Sequence, residues 1–231
     1  MKVIAHRGSG VGPFENTLPG MQMAITWGAD GIECDVQNSR DGELVVFHDA
    51  TLDRLTNGSG LVVEHTLEEL KRLQVVEGEK IPTLAEVLTL LKAQPQFIIN
   101  LDVKVQGIEE KILKEIQSRN LLDRTLVSSF VPQVLRKFRE LNADIATGWI
   151  YGYNYENPVG EAKKIGCTAL HPRLDLVSEV LRQVSRNHGL MLNPWSVNSE
   201  VDMRRFIELD VDWMITDNPR RLLRILNRVG S

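Results

Sequence analysis

The chain is poor in cysteine and in long apolar runs, and each shortage removes a class of protein. It has only Cys34 and Cys167, which lie far apart in sequence, so a disulfide framework is excluded and a reducing compartment is expected. No uninterrupted apolar run approaches the roughly 18 residues that a membrane helix requires. The first residues lead straight into an apolar strand, without the apolar core of a secretion signal. We therefore expect a soluble, cytoplasmic protein without stable membrane insertion.

The chain also lacks an excess of basic residues. Its 27 Lys and Arg against 31 Asp and Glu give a net charge of -4. Proteins that bind nucleic acid along its backbone depend on clustered Lys and Arg, so a nucleic-acid partner is not expected. With 231 residues, of which 42% are hydrophobic, the chain can bury one large core. We predict a single barrel domain over residues 1–231.

Strand-like and helix-like segments alternate along the chain, as in parallel sheets built from β-α-β units. One helix-like segment repeats apolar residues at positions 108, 112, 113 and 116, which places them on one face. Several strand-like segments are short runs rich in Val and Ile, as strands covered on both faces should be. Eight such units predict an α/β barrel. The predicted strands are residues 2–5, 31–37, 97–104, 126–130, 145–151, 169–173, 190–197 and 213–216.

One stretch after the second strand interrupts this alternation. Asp41-Gly42 between extended segments is a hairpin pattern, and an apolar run follows at residues 44–47. A polar, glycine-containing segment then continues to about residue 80, before Ile81-Pro82-Thr83-Leu84 begins a helix. Long loops without a role are uncommon. We therefore predict that residues 41–80 form a small insertion on the active face of the barrel.

Three acidic residues on two strands predict a metal site. Glu33 and Asp35 are two residues apart, so strand alternation points both carboxylates to one face. Asp102 and Lys104 repeat this spacing on the next strand. Carboxylates without zinc-like Cys or His spacing favour Mg²⁺ or Ca²⁺.

A buried ion pair is the alternative interpretation of these charges, either Asp102 with Lys104 or Glu33 with Arg7. Three acids against two cations would leave negative charge over, and a divalent ion would neutralise it. We therefore favour the metal site.

Two histidines predict acid and base catalysis at the same end of the barrel as the carboxylates. His6 ends the first strand and His48 ends the apolar run after the second. Imidazole titrates near neutral pH, so one ring can accept a proton while the other donates one. Arg7 and Lys104 are the cations available to hold the non-bridging oxygens of a phosphate. Together these groups predict a metal site that handles phosphate.

Successive motifs from residue 3 to about residue 220 resemble those of the bacterial glycerophosphodiester phosphodiesterases. The resemblance implies a TIM (β/α)8 barrel with a small inserted segment, a divalent cation, and hydrolysis of deacylated phospholipids to glycerol 3-phosphate and an alcohol. It assigns acid and base roles to His6 and His48. It assigns metal ligation to Glu33 and Asp35, and phosphate contact to Arg7. The motifs are His6-Arg7-Gly8, Glu15-Asn16-Thr17, Glu33-x-Asp35-Val36, His48-Asp49, Ile81-Pro82-Thr83-Leu84, Trp195-Ser196-Val197-Asn198 and Thr216-Asp217.

One position departs from the family pattern. The family usually has a glutamate as third metal ligand, followed two residues later by lysine, and this chain has Asp102 before Lys104. The shorter side chain predicts ligation through water or a preference for the larger ion, because Mg²⁺ tolerates displaced ligands less well than Ca²⁺. The expected cofactor is Ca²⁺ or Mg²⁺.

Four further residues are expected to contact or orient groups of the site, or to have a structural role. Glu15 is grouped with the substrate-binding residues and is expected to orient Arg7 or a histidine. Trp195 either lines the pocket beside the glycerol moiety or belongs to the core. His171, on the sixth strand, is expected to be structural. Asp217 is expected to cap the helix that follows it.

Three questions stay open at the level of sequence. A lysophospholipase D-like or phospholipase-type enzyme would need an apolar entrance, and the apolar residues of the insertion are scattered among polar ones. A catalytically silent barrel would merely bind metal or phosphate. The chain could act as a monomer or a homodimer.

Overall fold

Eight parallel strands form the centre of the molecule. The computed structural model describes residues 1–75 and 78–228. Each parallel strand is short and mostly buried, because helices cover the sheet on the outside and side chains fill it on the inside. The parallel strands are β1 (Lys2–Ala5), β2 (Gly31–Asn38), β4 (Ile98–Val103), β5 (Thr125–Ser129), β6 (Ala146–Tyr151), β7 (Ala169–Pro172), β8 (Met191–Leu192) and β9 (Trp213–Thr216); β3 (Leu44–Val46) is described below.

The strands follow one another around a nearly closed barrel. Their order is β8-β7-β6-β5-β4-β2-β1-β9, and every neighbouring pair on this path is parallel. The gap between β8 and β9 is crossed by hydrogen bonds from Asp212 N to Leu192 O (3.1 Å) and from Val197 N to Ile215 O (2.9 Å). The predicted TIM barrel is therefore confirmed.

The predicted strands match the observed ones except at β8. We predicted a strand over residues 190–197, and only Met191–Leu192 is regular. Pro194 has no N–H to donate, so the ladder cannot continue through it. The chain instead bonds irregularly to both neighbours, through Asn193 N to Leu170 O (2.9 Å) and Ile215 N to Pro194 O (3.1 Å).

Helices between the strands begin where the sequence provides caps. Thr83 and Glu86 form a capping box at the start of the helix Leu84–Lys92, and Ser178 caps the helix Glu179–Asn187. Pro219 is the first residue of the last helix, where its missing N–H would have no partner in any case. In the part of the chain described, no helix is long and apolar enough to cross a membrane. The helices are α1 (Leu18–Trp27), α2 (Leu67–Arg72), α3 (Leu84–Lys92), α4 (Glu109–Ser118), α5 (Pro132–Leu141), α6 (Pro158–Ile165), α7 (Glu179–Asn187), α8 (Glu200–Glu208) and α9 (Pro219–Ile225).

The segment after β2 leaves the barrel and has a small core of its own. Its first part turns back as β3, which pairs antiparallel with β2 and confirms the hairpin. A short helix, α2, lies later in the segment. That residues 41–80 are an insertion within a single domain stays a prediction. The apolar cluster of the segment consists of Val45, Phe47, Leu52, Leu55, Val62, Leu70, Val75 and Ile81.

The loop between β1 and α1 packs closely against the first turn of α1. A Cβ atom added to Gly20 would lie 2.2 Å from the carbonyl oxygen of Phe14. Helix propensity alone would favour alanine by about 1 kcal/mol, but a backbone carbonyl cannot move away cheaply. We predict that Gly20→Ala lowers the free energy of unfolding by about 1–3 kcal/mol, measured by urea denaturation.

Gly152→Ala is the matched control for this substitution. Its added Cβ would find its nearest neighbour at 4.0 Å, on the ring of Trp195. We expect its stability to stay within about 0.5 kcal/mol of the wild type. Equal stability of the two variants would contradict the close packing of the loop on α1.

Candidate active site

A cavity of about 280 Å³ opens at the carboxyl ends of the strands. In an α/β barrel this end collects side chains from several strands, because all parallel strands finish on the same side. Both predicted histidines and all three predicted metal ligands line the cavity. Its lining is His6, Arg7, Val11, Glu33, Asp35, His48, Asn100, Asp102, Lys104, Phe130, Ile150, His171, Trp195, Ser196 and Ile215.

The three predicted carboxylates converge at the mouth. Glu33, Asp35 and Asp102 are buried, and one oxygen from each lies within 4.8 Å of the others. Lys104 Nζ lies 2.8 Å from Asp35 Oδ1 and also contacts Asp102 Oδ2. Asp102 Oδ1 is buried and has no hydrogen-bond partner among the described residues. The cluster therefore contains a buried carboxylate oxygen that no described hydrogen bond satisfies.

The electrostatics of this cluster show an excess of negative charge. Burial and the neighbouring Asp35 raise the pKa of Glu33 to about 7. Burial also raises the pKa of Asp102. For Asp35 burial acts in the same direction, but Lys104, His48 and Arg7 outweigh it and lower the pKa. Lys104 and the Arg7 guanidinium, whose Nε lies 3.5 Å from Asp35 Oδ2, favour the charged form of Asp35 but leave Glu33 and Asp102 with raised pKa values, which fits a site for a divalent cation.

The alternative of simple ion pairs explains only part of the cluster. Asp102 does pair with Lys104. The guanidinium of Arg7, however, bonds Glu15 through Nη1 at 2.6 Å, and only the backbone N–H of Arg7 donates to Glu33, at 3.0 Å. Glu33 therefore lacks the arginine partner that the ion-pair interpretation requires.

Each histidine is held by a carboxylate on one side of its ring. His6 Nδ1 lies 2.6 Å from Asp217 Oδ1, and His48 Nδ1 lies 2.6 Å from Asp49 Oδ1. A carboxylate accepts, so each ring carries its proton on Nδ1 and keeps Nε2 for chemistry. Burial lowers the pKa of His6, but its bond to Asp217 outweighs this effect and raises the pKa.

The prediction that Asp217 caps a helix is wrong. The residue that begins α9 as its cap is Asn218. Asp217 instead accepts from His6, from the backbone N–H of Val11 at 3.0 Å and from Asn198 Nδ2 at 2.6 Å. No local pattern indicates this role, because Asp217 and His6 are 211 residues apart.

Arg54 is a residue of the site that the sequence analysis missed. It comes from the segment after β3, and its guanidinium donates to both oxygens of Glu15 (2.7 and 3.1 Å) and of Asp49 (2.6 and 3.0 Å). Glu15 also bonds Arg7, and Asp49 bonds His48. Arg54 therefore links Glu15, which holds Arg7, to Asp49, which holds His48.

The loop after β1 has a backbone that few residue types adopt readily. Arg7 and Asn16 both have positive φ angles, of 51° and 56°. The Asn16 amide donates to Asp35 Oδ2 at 2.7 Å, and its oxygen accepts from Asp35 N at 3.2 Å. Left-handed conformations outside glycine are uncommon and concentrate at functional sites. The geometry holds Arg7 beside the acid cluster.

Aromatic side chains also line the cavity. Trp195 lines it, as one of our two interpretations expected, and donates from Nε1 to the backbone oxygen of His171 at 2.8 Å. Phe130, which the sequence analysis did not single out, meets the Trp195 ring edge-on at 5.6 Å. His171 is fully buried and is one of the residues that line the cavity. The cavity therefore has a charged side and an apolar side.

Comparisons with known proteins identify the family of this chain. The model of the glycerophosphoryl diester phosphodiesterase family matches residues 6–221. A glycerophosphodiester phosphodiesterase from Caldanaerobacter subterraneus is 38% identical over 241 residues, covering 99% of this chain and 98% of the relative. The chain belongs to this family. A second relative of the same name, from Bacillus altitudinis, is 36% identical and covers 97% of both chains.

A solved structure agrees with the family assignment. A phosphodiesterase from Oleispira antarctica, in complex with the product sn-glycerol-3-phosphate, has a TM-score of 0.90 and 27% identity, covering 98% of this chain and 97% of that one. The chain is thus a phosphoric diester hydrolase of the glycerophosphoryl diester phosphodiesterase family. Its predicted family and enzyme class are confirmed.

Arg54 allows a first test of this active site. We predict that Arg54→Ala lowers kcat/KM for glycerophosphocholine by about 10–100-fold, as the loss of groups that orient functional residues does. Arg54→Lys should recover little, because lysine lacks the planar fork that grips two carboxylates. Most of the loss should fall on kcat, since the orientation of His48 matters in the chemical step.

Arg72→Ala is the matched control for Arg54. Arg72 lies in the same segment, is exposed, and has its side chain paired with the exposed Glu68. We expect its kinetics to stay within about two-fold of the wild type, since exposed pairs contribute little. Wild-type kinetics in both Arg54 variants would show that the link to Glu15 and Asp49 has no role in turnover.

The burial of His171 predicts a dependence of stability on pH. Burial lowers its pKa from 6.5 to about 3, so below pH 6.5 the unfolded chain binds a proton that the folded chain refuses. The free energy of unfolding should therefore fall as the pH drops from 6.5 toward 3, by up to about 1.4 kcal/mol per pH unit from this group. Above pH 6.5 the group contributes no slope.

Urea denaturation at pH 7 and pH 5 measures this effect. We expect the wild type to lose roughly 2 kcal/mol more over this interval than His171→Gln, which has no titrating group there. An equal loss in both proteins would contradict the burial of a neutral His171.

Proposed function

We propose that this phosphodiesterase hydrolyses glycerophosphodiesters to glycerol 3-phosphate and an alcohol, with a divalent cation and with His6 and His48 as general acid and base. One observation carries the proposal: both imidazoles, each with Nδ1 held by a carboxylate, line the cavity that contains the three-carboxylate cluster. The product named for the Oleispira antarctica structure supports the same reaction here.

Glu33, Asp35 and Asp102 are the residues that would hold the cation. All three offer oxygen, the ligand type that Mg²⁺ and Ca²⁺ prefer, and Asp102 Oδ1 is free to accept one. When bound, the ion would supply Lewis-acid stabilisation of charge on the phosphoryl oxygens. Asp102 is shorter than the usual glutamate, which favours Ca²⁺ with its more variable coordination.

The histidines divide proton transfer between them. With Nδ1 committed to Asp217 or Asp49, the Nε2 atom of each ring is the one that exchanges a proton with substrate or water. One ring removes a proton from the nucleophile, either water or a neighbouring hydroxyl of the substrate, and the other protonates the departing alkoxide. The hydroxyl route passes through a cyclic phosphate, and water must then attack its phosphorus and break one ring P–O bond to give glycerol 3-phosphate.

Arg7 and Lys104 would hold the non-bridging phosphate oxygens. Both cations line the cavity beside the acid cluster. Lys104 bridges Asp35 and Asp102, and these bonds outweigh its burial and raise its pKa, so it stays charged. Glu15 is fully buried and holds Arg7, so we assign it a positioning role rather than direct contact with substrate. Trp195 would contact the glycerol moiety.

Residues 41–80 would serve this site as an insertion within one domain, because they bring Arg54 to Glu15 and Asp49. The segment offers no apolar entrance of the kind that a lysolipid requires. Among its described residues, Leu52, Leu55 and Val62 are packed inside its own core, and only Leu61 and Val63 are large apolar side chains exposed to solvent, which is less than a lipid-binding patch needs. Deacylated substrates therefore suit this site better than lipids.

Replacement of the histidines tests the proposed mechanism. We predict that His6→Ala and His48→Ala each lower kcat for glycerophosphocholine by about 10²–10⁴-fold, because each removes a general acid or base. Release of glycerol 3-phosphate measures the rate. His188→Ala, at an exposed position away from the cavity, should keep wild-type kinetics. Full activity in both cavity variants would rule out acid and base catalysis by this pair.

Removal of the cation tests the metal site. Treatment with a chelator should abolish turnover, and Ca²⁺ should restore it better than Mg²⁺. Ca²⁺ should also raise the melting temperature of the wild type, since a ligand that binds only the folded state stabilises it. Asp102→Asn should weaken that thermal shift. No binding of either ion in calorimetry at millimolar concentration would contradict a metal site.

A further inference from the structure

Lys104 bonds both aspartates of the acid cluster, through one oxygen of each. Its Nζ atom lies 2.8 Å from Asp35 Oδ1 and also contacts Asp102 Oδ2. About a fifth of the side chain is exposed (22%), and it lines the active-site cavity, whereas both carboxylates are buried. The ammonium is therefore an internal counter-charge for two of the predicted metal ligands.

Asp35 has little else to offer a metal ion. Its Oδ2 atom accepts from Asn16 Nδ2 at 2.7 Å and lies 3.5 Å from Arg7 Nε. Asn16 is held in place in turn, because its side-chain oxygen accepts from Asp35 N at 3.2 Å. Of the two oxygens, the one that Lys104 holds is thus the one that Asp35 can more easily give to a new partner.

Asp102 depends on Lys104 in a similar way. Lys104 bonds Asp102 Oδ2, and Asp102 Oδ1 is buried without a hydrogen-bond partner among the described residues. If the ammonium moved away, both oxygens would be open to a ligand. Ca²⁺ accepts carboxylates that bind through one or two oxygens. The oxygens that now bond the ammonium are therefore those that a divalent ion would need.

An ammonium and a divalent ion compete for these oxygens, because like charges on one buried pair of acids repel each other strongly. The Lys104 side chain is able to give way. Its backbone N–H donates to Val36 O at 3.0 Å, which fixes the base of the side chain. The flexible four-carbon stem leaves the ammonium free to turn within the cavity. A phosphate there would offer it new oxygens.

We propose that Lys104 is an exchangeable counter-ion. It neutralises Asp35 and Asp102 when no divalent ion is bound, releases both to the ion, and then holds a non-bridging oxygen of the phosphate. The inference rests on the proposed function, which puts the ion and the phosphate at this cluster. It couples the two ligands, because each of them favours the position of Lys104 that admits the other.

Calorimetry of Ca²⁺ binding without substrate tests the exchange. It is done at pH 8, where protons compete least for the acids. Lys104→Met keeps a long, flexible side chain but removes its charge, so we expect Ca²⁺ to bind about 10-fold more tightly than in the wild type. Loss of a residue that merely builds the site would weaken binding. Equal or weaker binding in Lys104→Met would overturn the proposal.

Lys104→Gln is a second variant for the same measurement. It also lacks the charge, so it should show the same gain in affinity, and it serves alone if Lys104→Met does not fold. A gain in neither variant would overturn the proposal.

Glycerol 3-phosphate tests the transfer of Lys104 to the phosphate. At saturation it should tighten Ca²⁺ binding to the wild type by about 10-fold or more. In Lys104→Met this further gain should shrink to about three-fold or less, which is the part due to direct attraction between ion and phosphate. The same gain in both proteins would show that Lys104 does not link the two ligands, and would overturn the proposal.

Lys111→Met is the matched control. It loses the same charge, but Lys111 bonds the exposed Glu43 at 2.8 Å and does not line the cavity. We expect its Ca²⁺ affinity to stay within about two-fold of the wild type. A gain equal to that of Lys104→Met would show that net charge, and not exchange, sets the affinity, and would overturn the proposal. Absence of Ca²⁺ binding in all these proteins would instead overturn the metal site of the proposed function.

Discussion

The mutual repulsion of three buried carboxylates is the constraint on which the active site depends. Glu33, Asp35 and Asp102 stand within 4.8 Å of one another in a place that water hardly reaches. Charges so close and so buried are unfavourable unless cations compensate them. Lys104 supplies one such charge. The remaining imbalance is what makes the cluster suited to a divalent ion.

A second set of acidic residues positions the other functional side chains at the mouth of the barrel. Asp217, Asp49 and Glu15 do not join the cluster but hold His6, His48 and Arg7 in place; the link between Glu15 and Asp49 is Arg54. Functional side chains need such support, because a small misplacement costs much of the rate. This second set of acids therefore fixes the positions of the histidines and the arginine beside the carboxylate cluster.

Below the mouth, polar side chains replace part of the apolar interior of the barrel. Asn100, Ser128, His171 and Asn193 are fully buried there, and three of their atoms, Asn100 Oδ1, His171 Nδ1 and Asn193 Oδ1, lack hydrogen-bond partners among the described residues. The unpaired groups weaken the fold by a modest amount. The loss is tolerable because the apolar layer beneath, with Ile4, Leu126 and Trp213, still closes the bottom of the barrel.

The sequence by itself determined what depends on short-range periodicity. Glu33 and Asp35 share a face because strands alternate, and His6 reaches the mouth because it ends a strand. Only the tertiary structure decided what depends on distant pairs. Asp217 meets His6 across 211 residues, and Arg54 meets Glu15 across 39. Such contacts follow from barrel closure and from the packing of the segment after β3, and no local pattern encodes either.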